Sequence, residues 1–314
     1  MSMAPALPTG LQARPAEPAD LEAVVALCVR CDAADLGAPD TELDDLKAAW
    51  RRPGYDLAAN STLVLAGGRV VGYGDVFQGE GFGMVDPDWR GRGIGGWLLH
   101  RIEQLAGDDP AGDPGRGPAR VRELEVSAPA SDRAFRELAE RRGYRRGRST
   151  WLMRLDMAGP PPLPAWPDGV AVRTFDRDAD ARAVHRLVQE AFADIGGQPR
   201  RSFEFWRETL LERSDLDPEL WFLARAGGEL VGVNLCFSGP LGGYVAQLAV
   251  RRDQRGRGLG LALLRHGFGV LYRRGDREVY LDVDSQNRTG ATRLYERAGM
   301  RVQHRYDNWI RRLE

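Results

Sequence analysis

The chain has 314 residues, with 44 Lys and Arg against 45 Asp and Glu, and 43% of it is hydrophobic. That length allows two domains, each able to bury a core without disulfides or metals. The formal net charge of −1 lacks the bulk signature of a nucleic-acid coat or a polybasic membrane binder.

The opening stretch MSMAPALPTG has neither the charged nor the apolar region of a signal peptide. No stretch approaches 18 uninterrupted apolar residues, so the expected location is the cytoplasm. Cys28, Cys31 and Cys236 are too few for a disulfide scaffold. Cys28 and Cys31 lie in LEAVVALCVRC, which reads as an amphipathic helix with two small apolar residues one turn apart. With His100, His185, His266 and His304 scattered, no metal site is expected.

In chain order, DLEAVVALCVRC predicts a helix, and TLVLAGGRVVGYGDVF predicts two strands joined by a Gly-Gly turn. A strand, a glycine-rich turn and a helix follow in MVDPDWRGRGIGGWLL. After the Gly/Pro/Asp loop at 107–118 come a strand (VRELEVS), a short helix, and a final hairpin in YRRGRSTWLMRL. Residues 157–169, MAGPPPLPAWPDG, can neither extend a helix nor sit inside a sheet. They divide the chain into 1–156, a linker at 157–168, and 169–314.

The same order then recurs: ADARAVHRLVQEAF, LWFLARAGGELVGVNLCFS, AVRRDQRGRGLGLALL, REVYLDVDS, a short helix and MRVQHRYDNWIRRL. Arg90 aligns with Arg255, and LAERRGY at 138–144 aligns with LYERAGM at 294–300. The chain is an internal repeat of one mixed α/β unit.

The segment R-x-x-G-x-G, opening a helix after a strand, can cradle a phosphate. Glycine lets the backbone come close, and the helix start offers unpaired N–H groups. The dinucleotide fingerprint is excluded, because Leu98 and Leu263 stand where it needs a third glycine.

These motifs resemble the pyrophosphate-binding signature Q/R-x-x-G-x-G/A of the GNAT acetyltransferase superfamily. Arg90, Gly93 and Gly95 match it, as do Arg255, Gly258 and Gly260. The second copy adds LDVDSQNRTGATRLYERAGM, similar to the family's strand, Asn, and helix ending L-Y-E-x-x-G-F, with Met300 for Phe. With P-D-G-V-x-V-R at 167–173, the arrangement resembles the mycothiol synthase type of tandem GNAT.

The resemblance implies two tandem GNAT folds, each a mixed, mostly antiparallel twisted sheet flanked by helices. It implies acetyl-CoA as co-substrate, with the pyrophosphate on Arg255, Gly256, Arg257, Gly258, Leu259 and Gly260. The pantetheine arm would lie along Leu248, Ala249 and Val250, Asn287 would orient it, and Tyr295 would be the general acid. Val85, Arg90, Gly91, Arg92, Gly93, Ile94 and Gly95 form a possible second acetyl-CoA site.

The copies differ. Tyr295 corresponds to Ala139, Asn287 to Ser131, and Ala291 to Phe135. Alanine donates no proton, so the first copy is expected to be catalytically dead. Many family members carry a glutamate base where this chain has Tyr244. Glu204, Asp282 and Asp284 are candidate bases, with Glu208, His304 and Asp307 also in reach through water. Acceptor selection is expected from 192–215, where Phe203, Phe205 and Trp206 suggest an aromatic wall. The expected reaction is acetyl transfer to a small-molecule amine (an amino sugar, antibiotic or thiol-precursor amine) by a monomer or homodimer. A protein N-acetyltransferase and an acyl-CoA sensor are the alternatives.

Overall fold

The structure, a computed structural model, describes residues 5–108, 123–193, 200–287 and 289–313. Most of the 107–118 loop and residues 194–199 of the acceptor segment lie outside the described residues. Two compact units emerge. Unit 1 is Met1–Ser149 with Tyr306–Glu314, and unit 2 is Thr150–Arg305.

Unit 1 contains β1 (Leu11–Arg14), α1 (Leu21–Leu36), α2 (Leu43–Trp50), α3 (Leu57–Asn60), β2 (Ser61–Ala66), β3 (Arg69–Phe77) and β4 (Glu80–Val85). It continues with α4 (Ile94–Asp108), β5 (Glu123–Pro129), α5 (Arg133–Arg141) and the start of β6 (Arg145–Asp156). Unit 2 takes the rest of β6, then β7 (Val170–Thr174), α6 (Arg177–Ala193), α7 (Phe203–Trp206), β8 (Trp221–Ala226) and β9 (Glu229–Gly239). After these come β10 (Gly242–Val250), α8 (Leu259–Arg274), β11 (Glu278–Asp284), α9 (Ala291–Arg297) and β12 (Arg301–Arg312).

Each unit is a mostly antiparallel sheet with helices on both faces. In unit 1 the strand order is β1-β2-β3-β4-β5 and then β12, and in unit 2 it is β7-β8-β9-β10-β11 and then β6. The closing strands are therefore exchanged relative to a linear division at the proline-rich segment. Tyr306 to Arg312 of β12 run antiparallel to Pro129 through Glu123. Thr150 to Asp156 of β6 run antiparallel to Asp284 through Glu278.

The expected final hairpins are accordingly not formed, and each is one continuous strand. Gly147, inside β6, serves close packing. A Cβ there would lie 2.6 Å from Ile310 Cδ1 on β12.

The helices follow the apolar periodicity. Helix α1 buries Val24, Leu27, Cys28 and Cys31, and α6 buries Ala181, Val184, Leu187, Val188 and Ala191. Both CxxC thiols are free and buried, and burial pushes the Cys31 thiol up to about 11. An ion pair repeats as well. Arg14 of β1 grips Asp20 with bonds of 2.6 and 2.7 Å, and Arg173 of β7 grips Asp180 with bonds of 2.5 and 2.6 Å. Burial works against the charge on Asp180, but the Arg173 bond and the Asp176 amide outweigh it and lower its pKa.

Candidate active site

The site begins where parallel strands part. In unit 2, β10 and β11 pair only at Gly243 with Val279 and at Tyr244 with Tyr280. A bulge between Val245 and Gln247 then shifts the register of β10 against β9. The extra residue changes which side chains face which layer. Val245, Leu248 and Val250 pack with Leu259 and Leu263 of α8. Ala246 and Ala249 pack instead with Val184 and Leu187 of α6. Beyond Tyr244, the β11 side of β10 is left open to an added extended chain. Unit 1 splays in the same way, with β4 and β5 paired only at Glu80 with Glu125 and at Gly81 with Val126.

The end of β10 feeds the glycine-rich turn. Gly256 has φ +74° and Gly258 φ +88°, backbone that an L-residue adopts only with strain. Gly258 is the N-cap of α8 and supplies no side-chain cap. The first amides of this 16-residue helix therefore point outward with the positive end of the helix dipole. Gly260 serves packing, since a Cβ there would lie 3.1 Å from Leu294 Cδ2 on α9.

The arginines of the turn divide their work. Arg255 Nε donates to the Val250 carbonyl at 3.0 Å and its Nη2 to the Ala191 carbonyl at 3.4 Å. It ties the turn to β10 and to the end of α6. Arg257 is exposed and bonds only sideways, to Gln254 at 2.8 Å.

Unit 1 reproduces this turn closely. Gly91 and Gly93 have φ +74° and +88°, and Arg90 Nε donates to the Val85 carbonyl at 3.2 Å. Its electrostatics differ. Arg90 is neutralised by a two-pronged pair with Asp35, at 2.5 and 2.8 Å. The buried Asp86 carboxylate, held by Arg30 and Arg69, stands where unit 2 has Arg251. Pro87 stands where unit 2 has Arg252. Arg251 itself forms a two-pronged pair with Asp253, at 2.7 and 2.9 Å, so the contrast between the turns is that unit 2 carries Arg251 and Arg252 where unit 1 carries Asp86 and Pro87.

Tyr295 projects from α9 and is half-buried, packed against the core beneath α8. Among the described residues its hydroxyl has no hydrogen-bond partner, and desolvation pushes its pKa up to about 12. It therefore stays protonated throughout the neutral range. Asn287 lies in the turn before α9. Its Oδ1 accepts from Thr289 N at 2.8 Å and from Thr289 Oγ1 at 2.6 Å. The side-chain carbonyl thus builds the turn, and the amide NH2 remains for other partners. Asn287, Thr289, Gly290, Thr292 and Arg293 line a hollow of about 500 Å³.

The opposite face of the splay carries polar groups. Tyr280, Asp282 and Asp284 of β11 alternate with Val279, Leu281 and Val283, which are buried under α8. Tyr244, in the place expected of a glutamate, donates to Asp282 Oδ2 at 3.0 Å. Trp206 is buried and its indole N–H donates to Gln247 Oε1 at 3.0 Å, which fastens α7 to the bulge.

Of the aromatics suggested for an acceptor wall, Trp206 belongs to the buried α6 cluster, with Phe203 packed against it. Of the candidate bases, Asp282 is tied to the splayed strand through Tyr244. Asp284 accepts the Gln286 amide at 2.7 Å, Glu204 is exposed on α7, and Glu208 pairs with Arg207. Asp307 belongs to unit 1, where Arg146 and Ser149 hold it at 2.6 and 2.8 Å.

Among the described residues no group of three or more His, Cys, Asp or Glu is placed to hold a metal ion, and no helix is long and apolar enough to cross a membrane.

A splayed parallel pair, a glycine-rich turn and an uncapped helix start thus lie together in unit 2, on a mixed sheet flanked by helices, the architecture of an acetyltransferase fold. The model of the Acetyltransferase (GNAT) family matches residues 181–300, within unit 2. The chain belongs to the GNAT family and is an acetyl-transferring acyltransferase. It is 36% identical to the mycothiol acetyltransferase of Geodermatophilus obscurus over 94% of this chain and 95% of that protein. It is 32% identical to that of Thermobispora bispora over 90% and 92%. Among solved structures, a GCN5-related N-acetyltransferase from Sphaerobacter thermophilus is 38% identical with TM-score 0.80, covering 98% of both chains. A tandem GNAT protein from the clavulanic acid biosynthesis pathway shares the fold, at 19% identity and TM-score 0.74, over 97% of this chain and 99% of that one.

Proposed function

We propose that the protein transfers the acetyl group of acetyl-CoA to the primary amine of a small molecule, at one active site in unit 2. The observation that carries this reading is the convergence of three features on one splay. These are the open edge of β10, the uncapped start of α8 beside Arg251, Arg252 and Arg257, and the half-buried phenol of Tyr295. The pyrophosphate would rest on the α8 amides, and the pantetheine arm would extend β10 along Leu248 to Val250.

The amine attacks the thioester carbonyl, and a backbone N–H near Leu248 supports the oxyanion. The C–S bond then breaks, and the CoA thiolate takes the proton of Tyr295. The proton lost by the amine passes to the Tyr244–Asp282 pair on the acceptor face. The relatives named above are mycothiol acetyltransferases, and their name favours a thiol-precursor amine as acceptor.

The test is release of free CoA from acetyl-CoA with a panel of amino sugars, aminothiols and peptides. Amine-dependent release with the small amines supports the reading. Release with peptides alone would turn it toward a protein acetyltransferase. Tight acetyl-CoA binding without transfer to any amine would turn it toward a sensor.

A further inference from the structure

Helix α8 carries a glycine in its interior, Gly267, and β9 sets a fully buried asparagine, Asn234, against it. A Cβ at Gly267 would lie 2.6 Å from Asn234 Nδ2. The missing Cβ lets the amide reach the helix backbone, and Nδ2 donates to the Leu263 carbonyl at 3.0 Å. Asn234 Oδ1 accepts from Cys236 Sγ at 3.5 Å, and burial pushes that thiol up, so it keeps the proton it donates. Both ends of the buried amide therefore have a partner.

Unit 1 fills the same place without polar side-chain atoms. β3 and β4 pair at Gly72 and Val85 as β9 and β10 pair at Gly232 and Val250. A Cβ on Gly72 would meet Leu98 and Ile94, and one on Gly232 would meet Leu263 and Leu259. On this alignment Gly74 stands for Asn234, Val76 for Cys236 and Ile102 for Gly267. The glycine has changed sides. Gly74 lies on the strand and admits Ile102 of α4, whose Cδ1 would be 3.1 Å from a Cβ there. An interior glycine weakens a helix, and a buried amide gives up its hydration. Unit 2 accepts both costs where unit 1 packs with neither, and broken local rules mark functional positions.

What the amide adds is direction. Apolar contact is non-directional, whereas a hydrogen bond fixes a distance and an angle. Asn234 pairs with Leu248 across β9 and β10, and Leu263 lies one turn beyond Leu259 at the start of α8. The bond thus ties together the two halves of the proposed acetyl-CoA cradle, the helix start and Leu248. Helix α8 in turn abuts α9, the helix of Tyr295, where a Cβ on Gly260 would lie 3.1 Å from Leu294 Cδ2. We propose that Asn234 is a positioning residue for acetyl transfer. Through the Leu263 carbonyl it fixes α8 against Leu248, so that the thioester carbonyl meets the Leu248 amide and the Tyr295 phenol in register. This inference rests on the acetyltransferase reading above.

The test uses the whole chain with two variants. N234G/G267I installs the Gly–Ile pair that already packs in unit 1, and N234A removes the amide while keeping Gly267. Denaturant midpoints establish the fold, and calorimetry gives the affinity for CoA. Steady-state CoA release gives kcat at saturating acetyl-CoA and amine. Both variants should bind CoA as wild type does and lose about tenfold in kcat, the double variant with no loss of stability. A residue that only packs would shift the midpoint of N234A and leave kcat untouched in N234G/G267I. Wild-type kcat in either folded variant, a loss of CoA affinity that accounts for the lost rate, or loss of the fold in both overturns the proposal. Wild-type protein that transfers to no amine sinks the acetyltransferase reading itself, whereas transfer by wild type with unchanged variants sinks only the role of Asn234.

Discussion

Tyr295 and Ala139 hold the same place in two copies of one helix end. The Met300 amide donates to the Tyr295 carbonyl at 3.0 Å, and the Tyr144 amide donates to the Ala139 carbonyl at 3.0 Å. Gly299 and Gly143 follow with φ +97° and +80°. The backbone is conserved between the copies while the side chain is not: Ala139 is fully buried, and Tyr295 presents a phenol. Replacing Tyr295 with Phe removes one oxygen and should lower kcat about a hundredfold, as general-acid losses do, with little change in the KM for acetyl-CoA. Steady-state kinetics at saturating amine check this.

The matching turns separate structure from function. Gly258→Ala and Gly93→Ala each force an L-residue into left-handed backbone, and each should cost about 1–2 kcal/mol of stability. Only Gly258→Ala should also raise the KM for acetyl-CoA. Denaturant midpoints and kinetics on the two variants give the comparison.

Charge at the turn should decide which copy takes the pyrophosphate. Arg251→Asp installs in unit 2 the acidic residue that unit 1 carries as Asp86. The KM for acetyl-CoA should rise severalfold at low salt, because the change also leaves Asp253 without its arginine, and the difference should shrink as salt screens these charges. A KM unchanged at low salt would deny Arg251 any part in binding.

Asp75 in unit 1 is buried and accepts from Tyr73 at 2.6 Å and Tyr55 at 3.3 Å, with Trp50 donating to Tyr73 at 2.9 Å. Desolvation raises its pKa, and the phenol bonds only partly offset this. The folded state therefore holds this proton more tightly than the unfolded chain. The fold loses stability as pH rises through the raised value, and regains it as pH falls toward the ordinary one. Asn at this position can still accept both phenol bonds, so Asp75→Asn should remove that dependence. The wild type should gain stability relative to the variant as pH falls from the raised value toward the ordinary carboxylate range, read in denaturant melts at a series of pH values.

Tyr244 and Asp282 stand where the chain lacks a glutamate. Asp282→Asn should lower kcat most at low pH, where the amine is protonated and needs a base, and less at high pH. A uniform loss across the pH profile would assign Asp282 a positioning role.

The repeat, the glycine-rich turns and the Tyr295–Ala139 contrast are legible because they are local in sequence. The exchange of β6 and β12 was not, because strand alternation states that a strand exists and not which strand it pairs with. Gly147 lies inside β6, where it allows the close approach of Ile310. Arg255 looked like a phosphate ligand, and its bonds to the Val250 and Ala191 carbonyls depend on tertiary neighbours no motif encodes. The bulge at Val245 and Gln247, which turns Gln247 toward Trp206, left no signal in YVAQLAV.

The proposed acetyl transfer rests on one site, in unit 2, around Tyr295. Its most direct test is amine-dependent CoA release by wild type, Tyr295→Phe and Gly93→Ala, side by side. Tyr295→Phe should lose about a hundredfold in kcat, and Gly93→Ala should keep the wild-type kcat. Full turnover by Tyr295→Phe, or loss of turnover in Gly93→Ala with the fold intact, would contradict it.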